Sequence, residues 1–120
     1  MYFFDTYALL EIVSGNPNYE AYRKEPIVTS VMNMSEFYFI LLREEGKTCA
    51  DFWIESLQPD ILDIDIATIR KAMILRLFHK KKKMSMVDCI SYVLARKNNL
   101  LFLTGDNAFN NLNGVQFVKM

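Results

Sequence analysis

Four acids stand where this chain could do chemistry: Asp5, Glu36, Asp88 and Asp106. Asp5 closes the short apolar run Tyr2 to Phe4. Glu36 lies inside "MNMSEFYFILLREE", a segment apolar around most of a helical circumference. Asp88 stands in the first turn of the helix opened by "MSMVDCISY", and Asp106 follows the apolar run "LLFLT" by two residues. Packing needs a carboxylate at none of these places. Three of them have local readings: Asp5 can end a strand, Asp88 can complete a capping box with Ser85, and Asp106 can cap the turn "DNAFNNL". Glu36 is harder to explain locally, because a buried carboxylate without a partner is costly or takes up a proton. The first cation after it is Arg43, about two helical turns on. Arg43 or a metal ion is therefore the candidate partner.

Four carboxylates in one cleft repel one another and require a compensating cation. Hard oxygen donors suit Mg²⁺ or Mn²⁺, which keep waters and also bind substrate phosphate. Four negative charges balance two divalent ions, and two such ions about 4 Å apart can activate a water and stabilise the leaving oxygen of a phosphodiester. No histidine cluster or cysteine pair offers a zinc site. The one histidine, His79, sits among lysines at a helix end, where a capping or solvated imidazole is expected.

The elements that must position these acids read from periodicity and punctuation. "YFF" is a short strand broken at Asp5, and "TYALLEIVSG" is a helix stopped by Gly15 and Pro17. "NYEAYRKE" is a short polar helix or irregular turn, and "PIVTS" is a second strand. A helix runs from Met32 to Glu45 and stops at Gly46. "KTCADFWIESL" is its partner, closed near Pro59, and "DILDID" suits a third strand. "IATIRKAMILRLFHKK" is an amphipathic helix whose lysines suit its C-terminus. The helix of Asp88, the strand Leu100 to Thr104, the turn "DNAFNNL" and a last strand "VQFVKM" complete the chain.

Strands alternate with helices and no hairpin turn joins two strands, so the fold class is α/β with a mostly parallel sheet. Such sheets place ligand sites at the carboxyl ends of their strands. Asp5 and Asp106 fall there directly, and Glu36 lies on the first turns of the helix leaving strand two. The pattern alone does not place Asp88. Its helical face continues through Ser91 and Ala95, small residues that admit another backbone and point Asp88 into a packed cleft.

Composition bounds the rest. The 120 residues suit one domain, 1–120, with 52% hydrophobic residues and no repeat, linker or low-complexity tract. The formal net charge is +0, so any polyanion must be met by a local patch. The longest apolar run, Phe37 to Leu42, is too short to span a membrane. "MYFFD" lacks a basic segment and reaches an acid at residue 5, so no signal peptide is expected. Cys49 and Cys89 read as reduced thiols of a cytoplasmic protein.

The chain resembles the PIN domain family, and more narrowly its VapC-type toxins. The resemblance rests on "FFDTYALL", "TSVMNMSEF", "MSMVDCISYVLARKNNLLFLTGD" and "LTGDNAFNNL", in that order and spacing. It implies a three-layer α/β/α sandwich, Mg²⁺- or Mn²⁺-dependent cleavage of RNA, a homodimer, and inhibition by an antitoxin. By position it implies that Asp5, Glu36, Asp88 and Asp106 form the metal site, with Thr104 as the hydroxyl beside it. Cys89 stands where the family usually has Ala. Asn99 stands where Gly often precedes the strand, and asparagine tolerates the left-handed backbone that glycine would supply.

Other features concern substrate and partners. "HKKKK", His79 to Lys83, is the one dense basic run. It is either a solvated loop or, through Lys80, Lys81, Lys82 and Lys83, a contact for RNA phosphates beside the acids. The helices Met32 to Leu42 and Thr48 to Leu57, with Phe52 and Trp53, are expected to form an exposed apolar patch for self-association. Two alternatives stay open: an RNA-processing nuclease using the same site, and a non-catalytic module that binds RNA or protein. A phosphoryl-accepting domain would want D-x-D after strand one, which "DTY" lacks.

Overall fold

The computed structural model describes residues 1–120. Five short strands form one sheet: β1 (Tyr2–Phe4), β2 (Val28–Thr29), β3 (Asp60–Ile61), β4 (Leu101–Thr104) and β5 (Val115–Phe117). Their order is β3-β2-β1-β4-β5, and every pairing is parallel. The expected mostly parallel sheet is thus wholly parallel. The second and third strands are shorter than their sequences suggested, at two residues each.

Five helices cover the sheet: α1 (Thr6–Ser14), α2 (Val31–Glu45), α3 (Lys47–Leu57), α4 (Ile66–Phe78) and α5 (Met86–Lys97). Alternation within the strands explains the layering. Phe3 pairs in register with Phe102, and Phe4 with Leu103. Phe3 and Phe102 point to one face, where Ala72, Ile90 and Leu94 of α4 and α5 close a core. Phe4 and Leu103 point to the other, against Leu9, Phe37 and Ala50 of α1, α2 and α3. The result is a three-layer α/β/α sandwich. No helix is long and apolar enough to cross a membrane.

The strand order also sets where a site can form. The chain steps outward from β1 to β2 and β3, then returns to build β4 and β5 on the other side of β1. Right-handed crossovers in opposite directions place helices on opposite faces. The cleft between β1 and β4, at their carboxyl ends, is the topological switch point. Phe4 is followed there by Asp5, and Thr104 by Gly105 and Asp106.

Two expected surface features differ. α2 is less buried than its composition suggested: Phe39 is 60% exposed, and Arg43 packs over its ring and pairs with Glu44 rather than with Glu36. Phe52 on α3 is also exposed, but Trp53 packs against the core. The larger exposed apolar set lies on α4, where Ile66, Ile69 and Leu77 recur at helical spacing.

Candidate active site

Each acid is held by the local structure that its sequence builds. Asp5 is the N-cap of α1. Its Oδ1 accepts from the Thr6 N–H at 2.8 Å, and its Oδ2 accepts from the Thr104 hydroxyl at 2.7 Å. Thr104 ends β4 and also accepts from the Asp106 N–H at 3.1 Å, so one hydroxyl links two of the acids. Asp106 caps the 3₁₀ turn Asn107–Phe109 through the Ala108 N–H. Asp88 completes the capping box of α5: Ser85 Oγ accepts from the Asp88 N–H, and Asp88 Oδ2 accepts from the Ser85 N–H. The local capping readings therefore hold.

Gly105 explains how Thr104 and Asp106 reach this cleft together. A side chain at residue 105 would meet the Val118 carbonyl at 2.8 Å and the Tyr19 hydroxyl at 2.9 Å. Tyr19 is wholly buried, and its hydroxyl donates to that same carbonyl at 2.6 Å. The C-terminal segment and Tyr19 thus press directly on the backbone between the two site residues.

Glu36 is fixed from below by a buried polar chain. The Thr6 hydroxyl donates to Glu36 Oε1 at 2.6 Å and accepts from Asn33 Nδ2 at 3.1 Å. Asn33 Oδ1 accepts from Ser30 Oγ at 2.6 Å and lies 3.0 Å from Ser91 Oγ. Asn33, Ser30 and Ser91 are all fully buried. Ser91 is one of the small residues on the Asp88 face of α5, so that face admits α2. Sequence reasoning did not single out Asn33, Ser30 or Thr6. The available signal was Asn33 itself, a polar residue one turn before Glu36 on the same face of an apolar helix.

The electrostatics are those of uncompensated negative charge. Asp5 is 1% exposed, and burial together with the nearby Asp88 pushes its carboxyl up to about 7, against the opposing bonds from Thr104 and Thr6. Burial raises Glu36, with Asp88 adding to it. Burial also raises Asp88, with Asp106 adding to it. Asp88 therefore lies within electrostatic reach of the other three acids. None of the four takes part in a salt bridge.

No three acidic, imidazole or thiol groups stand close enough to ligate a common ion as the side chains lie in this structure. The donor set nevertheless fits a hard divalent ion. All four groups are carboxylates, they repel one another, and no lysine or arginine answers them. Mg²⁺ needs only one or two carboxylates because it keeps several of its waters. The four acids thus fit the ion by charge and donor type.

The basic run Lys80 to Lys83 forms a short 3₁₀ turn and its left-handed end, all exposed. The Lys82 ammonium lies 3.4 Å from the Ala108 carbonyl, on the turn capped by Asp106. His79 ends α4 and donates its backbone N–H to Leu75. Asn99 adopts the left-handed conformation, with φ 57°.

A wholly parallel α/β/α sandwich with acids at the switch point defines the class. Within it, the PIN domain family model matches residues 2–115, and the chain belongs to that family. Among solved structures it is similar to a Mycobacterium tuberculosis toxin, VapC20, described as cleaving the sarcin–ricin loop: TM-score 0.79 and 19% identity, covering 98% of this chain and 99% of that one. It is also similar to VapBC2 from Rickettsia felis bound to a promoter DNA fragment: TM-score 0.76 and 14% identity, covering 98% of each chain. A toxin–antitoxin complex from Klebsiella pneumoniae gives TM-score 0.75 and 18% identity, over 97% of this chain and 96% of that one. No curated protein matches the sequence significantly.

Proposed function

We propose that this chain is a divalent-metal-dependent endoribonuclease and the toxin of a toxin–antitoxin pair. The observation that carries the reading is the set of four acids without a cation partner at the switch point. Asp5, Glu36, Asp88 and Asp106 would hold Mg²⁺ or Mn²⁺. Such an ion supplies Lewis-acid stabilisation of phosphodiester charge and lowers the pKa of water.

The chain's own residues do the rest. Thr104 and the Thr6 N–H fix the orientation of Asp5. Thr6 also fixes Glu36, backed by Asn33. The α5 capping box fixes Asp88 within electrostatic reach of the other three acids. Because Asp5 otherwise keeps a proton up to about pH 7, a cation competes with that proton, and its affinity rises with pH. Lys82 reaches the turn of Asp106, and with Lys80, Lys81 and Lys83 it would contact RNA phosphates there.

Likeness to toxin–antitoxin structures supports an antitoxin partner. A groove of about 450 Å³ with Leu10, Ile40 and Trp53 in its lining and Glu11, Glu44 and Glu45 around it suits an apolar segment bearing basic residues. Ile66, Ile69 and Leu77 on α4 suit a homodimer, alongside the α2 and α3 patch expected from sequence, where Phe39 and Phe52 are exposed. An RNA-processing nuclease would use the same acids and differ in its target.

The test is cleavage of labelled single-stranded RNA by the purified chain with Mn²⁺ or Mg²⁺, with chelator, and with Asp88→Asn. Metal-dependent cleavage that the substitution abolishes is expected. Cleavage that persists in chelator or in the variant would overturn the reading.

A further inference from the structure

Net neutrality hides a strong segregation of charge. Nine of the chain's 14 lysines and arginines fall between Ile66 and Lys97, where Asp88 is the only acid. That stretch is α4, the lysine turn and α5, which together form one layer of the sandwich. The stretch from Thr6 to Leu57, which builds the other layer, carries eight of the 14 acids. Self-repulsion within a layer of one sign opposes folding, so a concentration of charge on one face points to a ligand of opposite sign.

That layer also holds a groove. It has a volume of about 540 Å³ and lies between Thr68 and Lys71 on α4 and Tyr92, Arg96 and Lys97 on α5. Asp88 opens α5, whereas Arg96 stands eight residues on, about 12 Å along the axis, so the groove is remote from the acids. Arg96 packs against the turn before β5: a side chain at Gly114 would meet its guanidinium at 2.2 Å. Neither Arg96 nor Lys71 is in a salt bridge. Lys97 pairs with Asp65 at 2.6 Å, and Asp65 also accepts from the Thr68 hydroxyl and N–H. One lysine is thus neutralised and held in place, while a second lysine and a guanidinium face the groove unanswered. Lys71 shares a helical face with Ile74 and Phe78, and Phe78 is 83% exposed beside the lysine turn. A cationic groove, an exposed ring and a second cationic cluster therefore follow one another towards the acids. This is the combination that tracks a single-stranded nucleic acid backbone.

We propose that the groove between Lys71 on α4 and Arg96 on α5 is a phosphate-binding subsite that grips the backbone of a single-stranded RNA substrate at a distance from the acids. The proposal rests on the RNA-cleaving reading and adds to it a footprint that runs the length of the α4–α5 layer.

The test measures binding of a fluorescent single-stranded 16-nucleotide RNA in chelator, at several salt concentrations. Wild type, Lys71→Ala/Arg96→Ala, Arg96→Lys and, as a control on the acidic layer, Lys24→Ala are compared. Each phosphate contact contributes about 0.7 to the slope of log affinity against log salt on single strands. The double variant should lose about 1.4 from that slope and bind roughly three- to tenfold more weakly. Arg96→Lys should keep most of the slope, and Lys24→Ala should keep all of it. Cleavage of a three-nucleotide substrate by the double variant should match wild type, because so short a chain cannot reach the groove. An unchanged slope in the folded double variant would overturn the proposal, as would protection of the groove by inorganic phosphate alone without any effect on RNA. A wild type that binds RNA through the groove yet never cleaves it would instead count against the nuclease reading.

Discussion

Replacing Asp5 by asparagine should flatten the pH dependence of stability in the metal-free protein. Asp5 is 1% exposed, and its carboxyl is pushed from 3.8 up to about 7, chiefly by burial. The folded state therefore holds this proton more tightly than the unfolded chain does. The stability that the group contributes is fully present below pH 3.8 and is lost as pH rises through 7. Between pH 5 and pH 8 the loss works out at about 2.5 kcal/mol. Asparagine keeps an oxygen for the Thr6 N–H and removes the charge. Urea unfolding in chelator at pH 5, 6, 7 and 8 measures both proteins. Wild type should weaken across this range by roughly the stated amount more than Asp5→Asn. Near pH 8 the variant should equal or exceed wild type. Parallel profiles would refute the reasoning, because they would mean that Asp5 ionises without cost and that burial beside Asp88 does not strain it.

Thr104→Val should leave Asp5 Oδ2 and the Asp106 N–H without their shared partner, at a cost of about 1–3 kcal/mol. It should also steepen the loss of stability above pH 5, read from the same urea series. Asn33→Ala should cost about 2–4 kcal/mol, because it leaves the buried Ser30 hydroxyl without its acceptor, removes a partner from Thr6 and Ser91 and opens a cavity; thermal unfolding checks this, and a change under 1 kcal/mol would deny the network a structural role. Leu77→Glu should shift the species seen by light scattering from dimer to monomer. A wild type that is already monomeric at tens of micromolar would remove the basis for pairing through α4.

The layer architecture was legible because its signals are local. Most strands are short apolar runs, α1 and α2 stop at Gly15 and Gly46, α3 closes just before Pro59, and Ser85 announces the α5 cap, whereas α4 ends at Phe78, before the "HKK" that its sequence pattern included. The acids at strand ends followed from the general placement of sites in parallel sheets. Long-range choices were not legible. Arg43 and Glu36 lie near each other along the chain, but Glu36 turns to a threonine of α1 and Arg43 to its own neighbour and Phe39. Asn33 looked like an unremarked polar residue, since its three partners, Thr6, Ser91 and Ser30, come from α1, α5 and the β2–α2 junction. The need for Gly105 depends on Tyr19 and Val118, which meet it only after the sheet has closed. The exposure of Ile66, Ile69 and Leu77 on α4 was not legible either, because periodicity shows that a helix has a stripe, not what covers it.

Calorimetric titration of Mn²⁺ into the metal-free protein tests most directly the claim that the four acids gather a divalent ion. Wild type should bind with an affinity that rises from pH 6 to pH 8 as Asp5 yields its proton. Asp88→Asn should lose most of that binding, and Glu11→Gln, an acid outside the cleft, should lose none. Wild-type binding that Asp88→Asn leaves intact, or no binding by wild type at pH 8, would contradict the account.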